Sequence, residues 1–253
     1  MKTDLHSTQR FSDRVENYIK YRPHYPQDVL SVLSKNIGLS PSSIIADVGA
    51  GTGISTKLLL SNGNTVYAVE PNAPMREAAE SLLAEYKNYH SIDGTAEATT
   101  LADSSVDIVT AAQAFHWFDI EASRKEFERI LKPNGWVVFM WNLRRLDSTP
   151  FLVAYETFLR KFGTDYPVVA DDSLLDRVAR FFSGVTYHQV DIENQQSFDF
   201  DGLKGRLLSS SYIPQTGPRI EEMLSELQVL FDTYKENGAV RFEYDTNIYY
   251  GQL

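Results

Sequence analysis

No cysteine occurs anywhere in the 253 residues. That absence removes disulfides, thiolate nucleophiles and cysteine-based zinc sites at once, and it agrees with a reducing, cytoplasmic setting. No apolar run approaches the ~20 residues that a membrane-spanning helix needs, so no membrane partner is expected. The opening stretch MKTDLHSTQRFSDR lacks the apolar centre of a secretion signal, and export is not expected. Positive charge is scarce as well: 24 Lys and Arg stand against 34 Asp and Glu, for a formal net charge of −10 and no basic run. A field of that sign repels phosphate backbones, which disfavours a nucleic-acid partner. No glycine-rich turn ends in Gly-Lys-Ser/Thr, so a triphosphate-binding loop is excluded.

What is present is an ordinary globular mixture, 43% hydrophobic and 23% charged, enough for one large domain or a domain with a small lid. Residues 12–22 and 27–36 have helical spacing, with the Pro-punctuated YRPHYP between them. Apolar runs then alternate with helical patterns. SIIADV, NTVYAVE, YHSID, VDIVTAAQ and GWVVFMW read as strands, and ISTKLLLSN, APMREAAESLLAEY and EASRKEFERIL as helices. This rhythm predicts a parallel sheet covered by helices on both faces. After Trp141 it changes. PFLVAYETFLRKF and SLLDRVARFF read as helices, VTYHQVDIEN as a strand, 200–210 and 218–236 as helices, and AVRFEYDTNIYYGQL as a long alternating strand. Ile220, Met223, Leu224, Leu227, Leu230 and Phe231 follow helical spacing and are expected in a core.

IIADVGAGTG, residues 44–53, puts glycines at 49, 51 and 53 between a buried strand and a helix. Lacking Cβ atoms, such a turn lets main chain approach a ligand closely. The dinucleotide fingerprint needs its third glycine three residues after the second, where this chain has Ile54. The spacing G-x-G-x-G therefore argues against a nicotinamide cofactor. Glu70, at the tip of the next strand, has the position of a carboxylate that accepts from both hydroxyls of a ribose.

DVGAGTG, VEPN, DGTAE and LKPNGWVVF, in that order over 44–139, resemble the class I S-adenosylmethionine-dependent methyltransferases. FSDRVENYIKYRPHYP, AQAFHWFD, GRLLSSSYIP and YDTNIYYGQL extend the resemblance to a small-molecule branch similar to trans-aconitate methyltransferase-like proteins. The resemblance implies a Rossmann-like, doubly wound α/β fold: a mostly parallel seven-stranded sheet, an antiparallel last strand, and helical insertions forming a lid. It implies one domain over 1–253, with a helical lid at 1–36, a cofactor-binding core at 38–143, and acceptor-side insertions at 144–183 and 200–237. S-adenosylmethionine is the expected cofactor and a small molecule the expected acceptor, carboxylates among them; no metal is expected, and monomer and homodimer stay open. A non-catalytic binder of the same cofactor and a Rossmann oxidoreductase are the alternatives.

The resemblance also distributes roles. Asp47, Gly49, Gly51, Gly53, Glu70, Met75, Thr95, Ala96, Glu97 and Gln113 fall on the cofactor side, with Arg22 above them as a grip for a carboxylate. Asp47 would orient the glycine loop, Met75 cover the adenine, 95–97 read its edge, and Gln113 line the methionine end. His116 is either a proton acceptor or a packed histidine, and Trp117 either a pocket wall or a core wedge. Tyr18, Tyr21, Arg206 and Tyr212 are the remaining candidates for the acceptor, with Arg144 and Arg145 as further arginines that suit an acid.

Overall fold

Ile45 and Ala46 are neighbours in sequence and face opposite layers of helices. The alternation follows from the two-residue period of extended chain, and it organises the molecule. The structure, a computed structural model, describes residues 19–164, 174–210, 212–214 and 216–253. In it β1 (Ile44–Val48), β2 (Thr65–Val69), β3 (Tyr89–Ile92), β4 (Val106–Ala112), β5 (Leu131–Arg144), β6 (Tyr187–Phe198) and β7 (Val240–Gln252) form a 7-stranded sheet of order β3-β2-β1-β4-β5-β7-β6. The strands from β3 to β5 pair in parallel, while β7 runs antiparallel to both β5 and β6. This is the doubly wound arrangement with a reversed last strand.

The helices are α1 (Asp28–Ile37), α2 (Ile54–Ser61), α3 (Ala73–Leu82), α4 (Ile120–Ile130), α5 (Pro150–Phe162), α6 (Leu174–Phe181), α7 (Phe200–Leu208) and α8 (Ile220–Tyr234). One face of the sheet, through Ile45, Val66, Ile108, Val138 and Met140, packs on Val29 and Leu33 of α1, Leu59 of α2 and Ala79 of α3. The other, through Ala46, Val109, Val137, Phe139 and Trp141, packs on Phe127 of α4 and Val178 and Phe181 of α6. A separate cluster joins α5, α7 and α8 to Phe198, Phe242 and Tyr244 where β6 and β7 run on. Burying a side chain such as Phe242 stabilises by roughly 2–3 kcal/mol. Asn72, Asp119, Thr149 and Asp199 each accept a main-chain N–H at a helix start, a contribution of about 1 kcal/mol apiece.

Several sequence expectations change. β5 begins at Leu131, before the expected GWVVFMW, because Val106 pairs with Leu131 and Ile108 with Trp136, leaving the residues between in a bulge. The segment expected as a helical lid divides in two. α1 belongs to the core, since Val29 and Leu33 are fully covered by the sheet, and residues up to 18, including Tyr18, lie outside the described residues. Within the first insertion, α6 joins the main core beside α4. Of the apolar set on α8, Met223, Leu227, Leu230 and Phe231 are buried, and Leu224 packs at the margin. Among the described residues, no helix is long and apolar enough to cross a membrane.

Candidate active site

The site lies at the carboxyl ends of β1, β2 and β4, where an open α/β sheet offers a crevice. Gly49, Gly51 and Gly53 all adopt left-handed backbone, with φ of 70°, 58° and 85°. Their surroundings differ. A Cβ on Gly49 would stand 2.5 Å from Ala114 Cβ, and one on Gly53 2.7 Å from Leu83 Cδ1. One on Gly51 would meet only Met75 Sδ, at 3.8 Å. Two glycines therefore serve close packing, and Gly51 borders open space. The loop is pinned to β2 by Gly49 N–H and Ala50 N–H donating to Val69 O, at 2.8 and 3.2 Å.

Two buried carboxylates organise this loop. Asp47 is 0% exposed and accepts from Ser55 Oγ at 2.7 Å, Thr56 Oγ1 at 2.7 Å and Thr110 Oγ1 at 2.8 Å. Burial raises its pKa, and the three hydroxyls offset only part of that rise. It thus fastens β1 to α2 and β4 from beneath the loop. Glu70 Oε2 accepts from Gly51 N–H at 2.9 Å, and Oε1 from Asn72 N–H at 2.8 Å. Burial raises the Glu70 pKa, opposed by those two N–H groups and by Arg76. Each Glu70 oxygen keeps lone pairs beyond the bond it accepts. Thr52, which sequence reasoning passed over, carries a buried hydroxyl at the centre of the loop with no partner among the described residues; only its place between two glycines could have drawn attention to it.

Met75 is buried beside Gly51, its N–H held by Asn72 Oδ1 at 3.1 Å. Thr95 and Ala98 exchange main-chain hydrogen bonds, so that Ala96 is buried at a tight bend and Thr95 is exposed. Glu97 Oε1 accepts from Asp119 N–H at 2.9 Å, tying this bend to the turn after β4. Glu126 Oε1 holds the same bend by accepting from Thr99 N–H and Thr99 Oγ1 at 2.8 and 2.6 Å. Gln113 adopts φ of 57°, uncommon for a residue with a side chain. Its N–H donates to Met140 O at 2.9 Å and its Nε2 to Asn142 O at 3.0 Å.

Phe115–Trp117 form one short 3-10 turn at the rim. Arg177 of α6 closes it by donating to Phe115 O at 3.1 Å and Phe118 O at 2.6 Å. Trp117 is partly buried, 4.8 Å between centroids from His116. His116 is exposed along part of its surface, yet surrounding protein and the Arg177 charge push its pKa down to about 4. A ring lining a concave rim accounts for both, and the lowered pKa keeps it neutral at pH 7.

On the acceptor side the structure separates the three arginines. Arg144 pairs with Glu156 at 2.6 Å and stands 5.3 Å over the Tyr155 ring. Arg145 pairs with Asp245 at 2.6 Å and Glu193 at 3.0 Å. Both are therefore neutralised within the protein, which corrects the expectation that either meets an acid. Arg206, 8% exposed, has no carboxylate paired with it among the described residues. It donates from Nη1 to Ser210 Oγ at 3.2 Å, is hydrogen-bonded with Tyr244, and leaves its buried Nε without an acceptor among the described residues. Burial works against its charge; the oxygens of Tyr244, Tyr212 and Tyr155 favour it and win. Burial also raises the Tyr155 phenol above its ordinary value. Tyr21 lies against Gly205, where an added Cβ would be 2.0 Å from its ring, and Arg22 Nη2 donates to Ser209 O at 2.9 Å. That bond ties Arg22 to the end of α7, beside Arg206. Among the described residues, no group of three or more His, Asp or Glu side chains could hold a metal ion.

Strand order and glycine loop together define a Rossmann-like methyltransferase fold. Residues 46–139 match the family model of a methyltransferase domain. Among solved structures, a candidate type II methyltransferase from Anaeromyxobacter dehalogenans is similar at TM-score 0.68 and 21% identity, covering 92% of this chain and 98% of that one. A candidate methyltransferase of an antibiotic biosynthesis pathway from Anabaena variabilis is similar at TM-score 0.65 and 23% identity, covering 92% and 99%. An uncharacterised methyltransferase-like protein of Schizosaccharomyces pombe is 34% identical over 158 residues, 62% of this chain and 60% of the relative. An uncharacterised methyltransferase of Mycobacterium bovis is 35% identical over 134 residues, 53% and 52%. The chain thus spans between half and three fifths of the curated relatives it matches.

Proposed function

We propose that the chain is an S-adenosylmethionine-dependent methyltransferase acting on a small molecule that bears a carboxylate. The observation that carries this reading is the bond from Gly51 N–H to Glu70 Oε2, which aligns an open stretch of main chain with a buried carboxylate. The residues fit the cofactor. Gly51 leaves room beside Met75, Thr52 Oγ1 is a buried hydroxyl in want of a partner, and Glu70 has lone pairs to spare for ribose hydroxyls. Met75 and Ala96 would flank the adenine, with Thr95 at its edge, and Gln113 Oε1 would accept from the ammonium of the methionine end. When bound, the cofactor supplies an activated methyl group on a sulfonium.

The protein's part is alignment and exclusion of water. Arg206 would grip the acceptor's carboxylate with its spare Nε–H, an interaction that is strong because it is charged and sheltered. Trp117 and the neutral His116 would wall the rim against solvent. A carboxylate is already ionised at pH 7, so O-methylation of an acid needs no base, in keeping with a His116 pKa near 4. The test is transfer of labelled methyl to matched panels of small carboxylic acids and amines, with calorimetry of adenosylhomocysteine binding. Labelled esters are the expected product. Absence of binding by the folded protein overturns the donor reading, and transfer confined to amines overturns the acceptor reading.

A further inference from the structure

Four successive main-chain carbonyls, those of residues 21 to 24, are held by side-chain amides from the sheet. Gln196 Nε2 donates to Tyr21 O at 3.5 Å and Arg22 O at 3.4 Å. Asn142 Nδ2 donates to Pro23 O at 3.3 Å and His24 O at 3.4 Å, and Asn194 Nδ2 donates to His24 O at 2.8 Å. Tyr25 OH adds a bond to Met140 O at 3.5 Å. The strap so held lies against α7 on both sides of Arg206: Tyr21 at Gly205, and Arg22 at Ser209 O. Most of these distances exceed 3.2 Å, the upper end for a good N–H···O bond, so the strap is fastened by many weak contacts.

Asn142 is the member of this set that also reaches the donor cleft. Its carbonyl accepts from Gln113 Nε2, and Gln113 is a strand-end residue held in left-handed backbone. Its own side chain is oriented by Thr246 Oγ1 and Asn194 Nδ2, both donating to Oδ1 at 2.5 and 3.1 Å. Asn142 is 7% exposed, so these bonds form in a sheltered place where breaking one leaves a polar atom without water. A backbone conformation that unusual persists where its surroundings over-determine it, and such residues gather at ligand sites.

We propose that Asn142 is a positioning residue coupling the two halves of the site: its main chain holds Gln113 and its side chain holds the strap, so that filling the donor cleft tightens the strap beside Arg206. The proposal rests on the methyltransferase reading above, because it requires a ligand at Gln113. A ligand that fixes the Gln113 side chain fixes one face of the Asn142 peptide, and the long strap bonds on its side chain shorten with it. Coupling of this kind is a free energy shared between sites, and it is reciprocal.

The experiment is amide hydrogen exchange of segment 21–27 in the full chain, with adenosylhomocysteine as the probe and calorimetry alongside. In the wild type, saturation slows exchange of the segment by about tenfold, within the range of ordinary coupling. In Asn142→Ala the slowing falls below about twofold, while affinity falls by no more than the roughly tenfold share that the coupling carries, because the variant keeps the carbonyl that holds Gln113. An affinity loss of about 100-fold or more would mark a merely structural role and overturn the proposal. Asn142→Asp, isosteric and still an acceptor for Thr246, replaces the strap donor by an oxygen that faces the Pro23 and His24 carbonyls; it gives the same result should the alanine variant not fold. An unresponsive strap in the wild type, with binding intact, overturns the coupling and leaves the methyltransferase reading standing. No heat of binding at all overturns both.

Discussion

Two buried charges of opposite sign lie on the two sides of the site, and the protein treats them differently. Asp47, on the donor side, is fully enclosed and accepts from three hydroxyls, so its carboxylate is satisfied from within. Arg206, on the acceptor side, is nearly as enclosed, borders three phenols and a serine, and keeps a donor in reserve. A buried charge that the fold itself satisfies is structural. One that it leaves with a donor to spare is a candidate for completion by a ligand, because a bound anion adds the counterion that the fold has not supplied.

That contrast gives opposite signs for stability. Asp47→Ala strands three hydroxyl donors and should lower the unfolding free energy by about 4 kcal/mol in urea titrations. Arg206→Met, similar in volume, should change it by less than about 1 kcal/mol or raise it, since no carboxylate is left behind. A large loss in the arginine variant would erase the distinction. The same Arg206→Met variant should raise KM for a carboxylate acceptor about 100-fold, roughly 3 kcal/mol, while adenosylhomocysteine affinity stays within about threefold. An unchanged KM would leave the reserved donor without a purpose.

Within the donor loop the comparison can be sharpened further. Gly51→Ala should cost about 1 kcal/mol of stability from its left-handed backbone alone, yet weaken adenosylhomocysteine binding at least tenfold, because its Cβ enters open space beside Met75. Gly49→Ala should cost more stability than Gly51→Ala, since its Cβ meets Ala114 at 2.5 Å. The smallest effect concerns Glu126, which holds the bend at Thr99. Its pKa is lowered from 4.5 to about 2, first by Arg129 and, against the pull of burial, by Thr99. A lowered carboxylate pKa stabilises the fold above its unfolded value, and that contribution disappears as pH falls toward the folded one. Between about pH 5 and pH 2 the wild type should lose about 1 kcal/mol that Glu126→Gln does not lose, the figure allowing for solvent around Arg129.

The donor side was readable in sequence because its demands are local and steric. Three positive φ angles within five residues need glycines at 49, 51 and 53, and Glu70 follows at the end of the next strand. Gln113 and Met75 could be located by the strand ends that precede them. The acceptor side could not be read in the same way. Arg144, Arg145 and Arg206 are alike as letters; what distinguishes them is Glu156, Asp245 or Glu193 beside the first two, and no chain pattern announces those pairings. Asn142 passed unnoticed for the same reason, since its partners at Pro23, His24, Asn194 and Thr246 come together only through the antiparallel β7. The hydroxyls that satisfy Asp47 carry no signature, because Ser55, Thr56 and Thr110 are ordinary residues until the sheet closes around them.

The strand succession also imposes a chronology on assembly. Among the described residues β6 bonds to β7 alone, and β7 stands between it and β5. β6 therefore has no ladder to join until a later segment has slotted in, and pairing over such sequence separations is slow compared with the local crossovers of β1 to β5. The glycine loop thus sits among strands that can pair through local crossovers, while the edge beyond β5 must wait for the last segment of the chain.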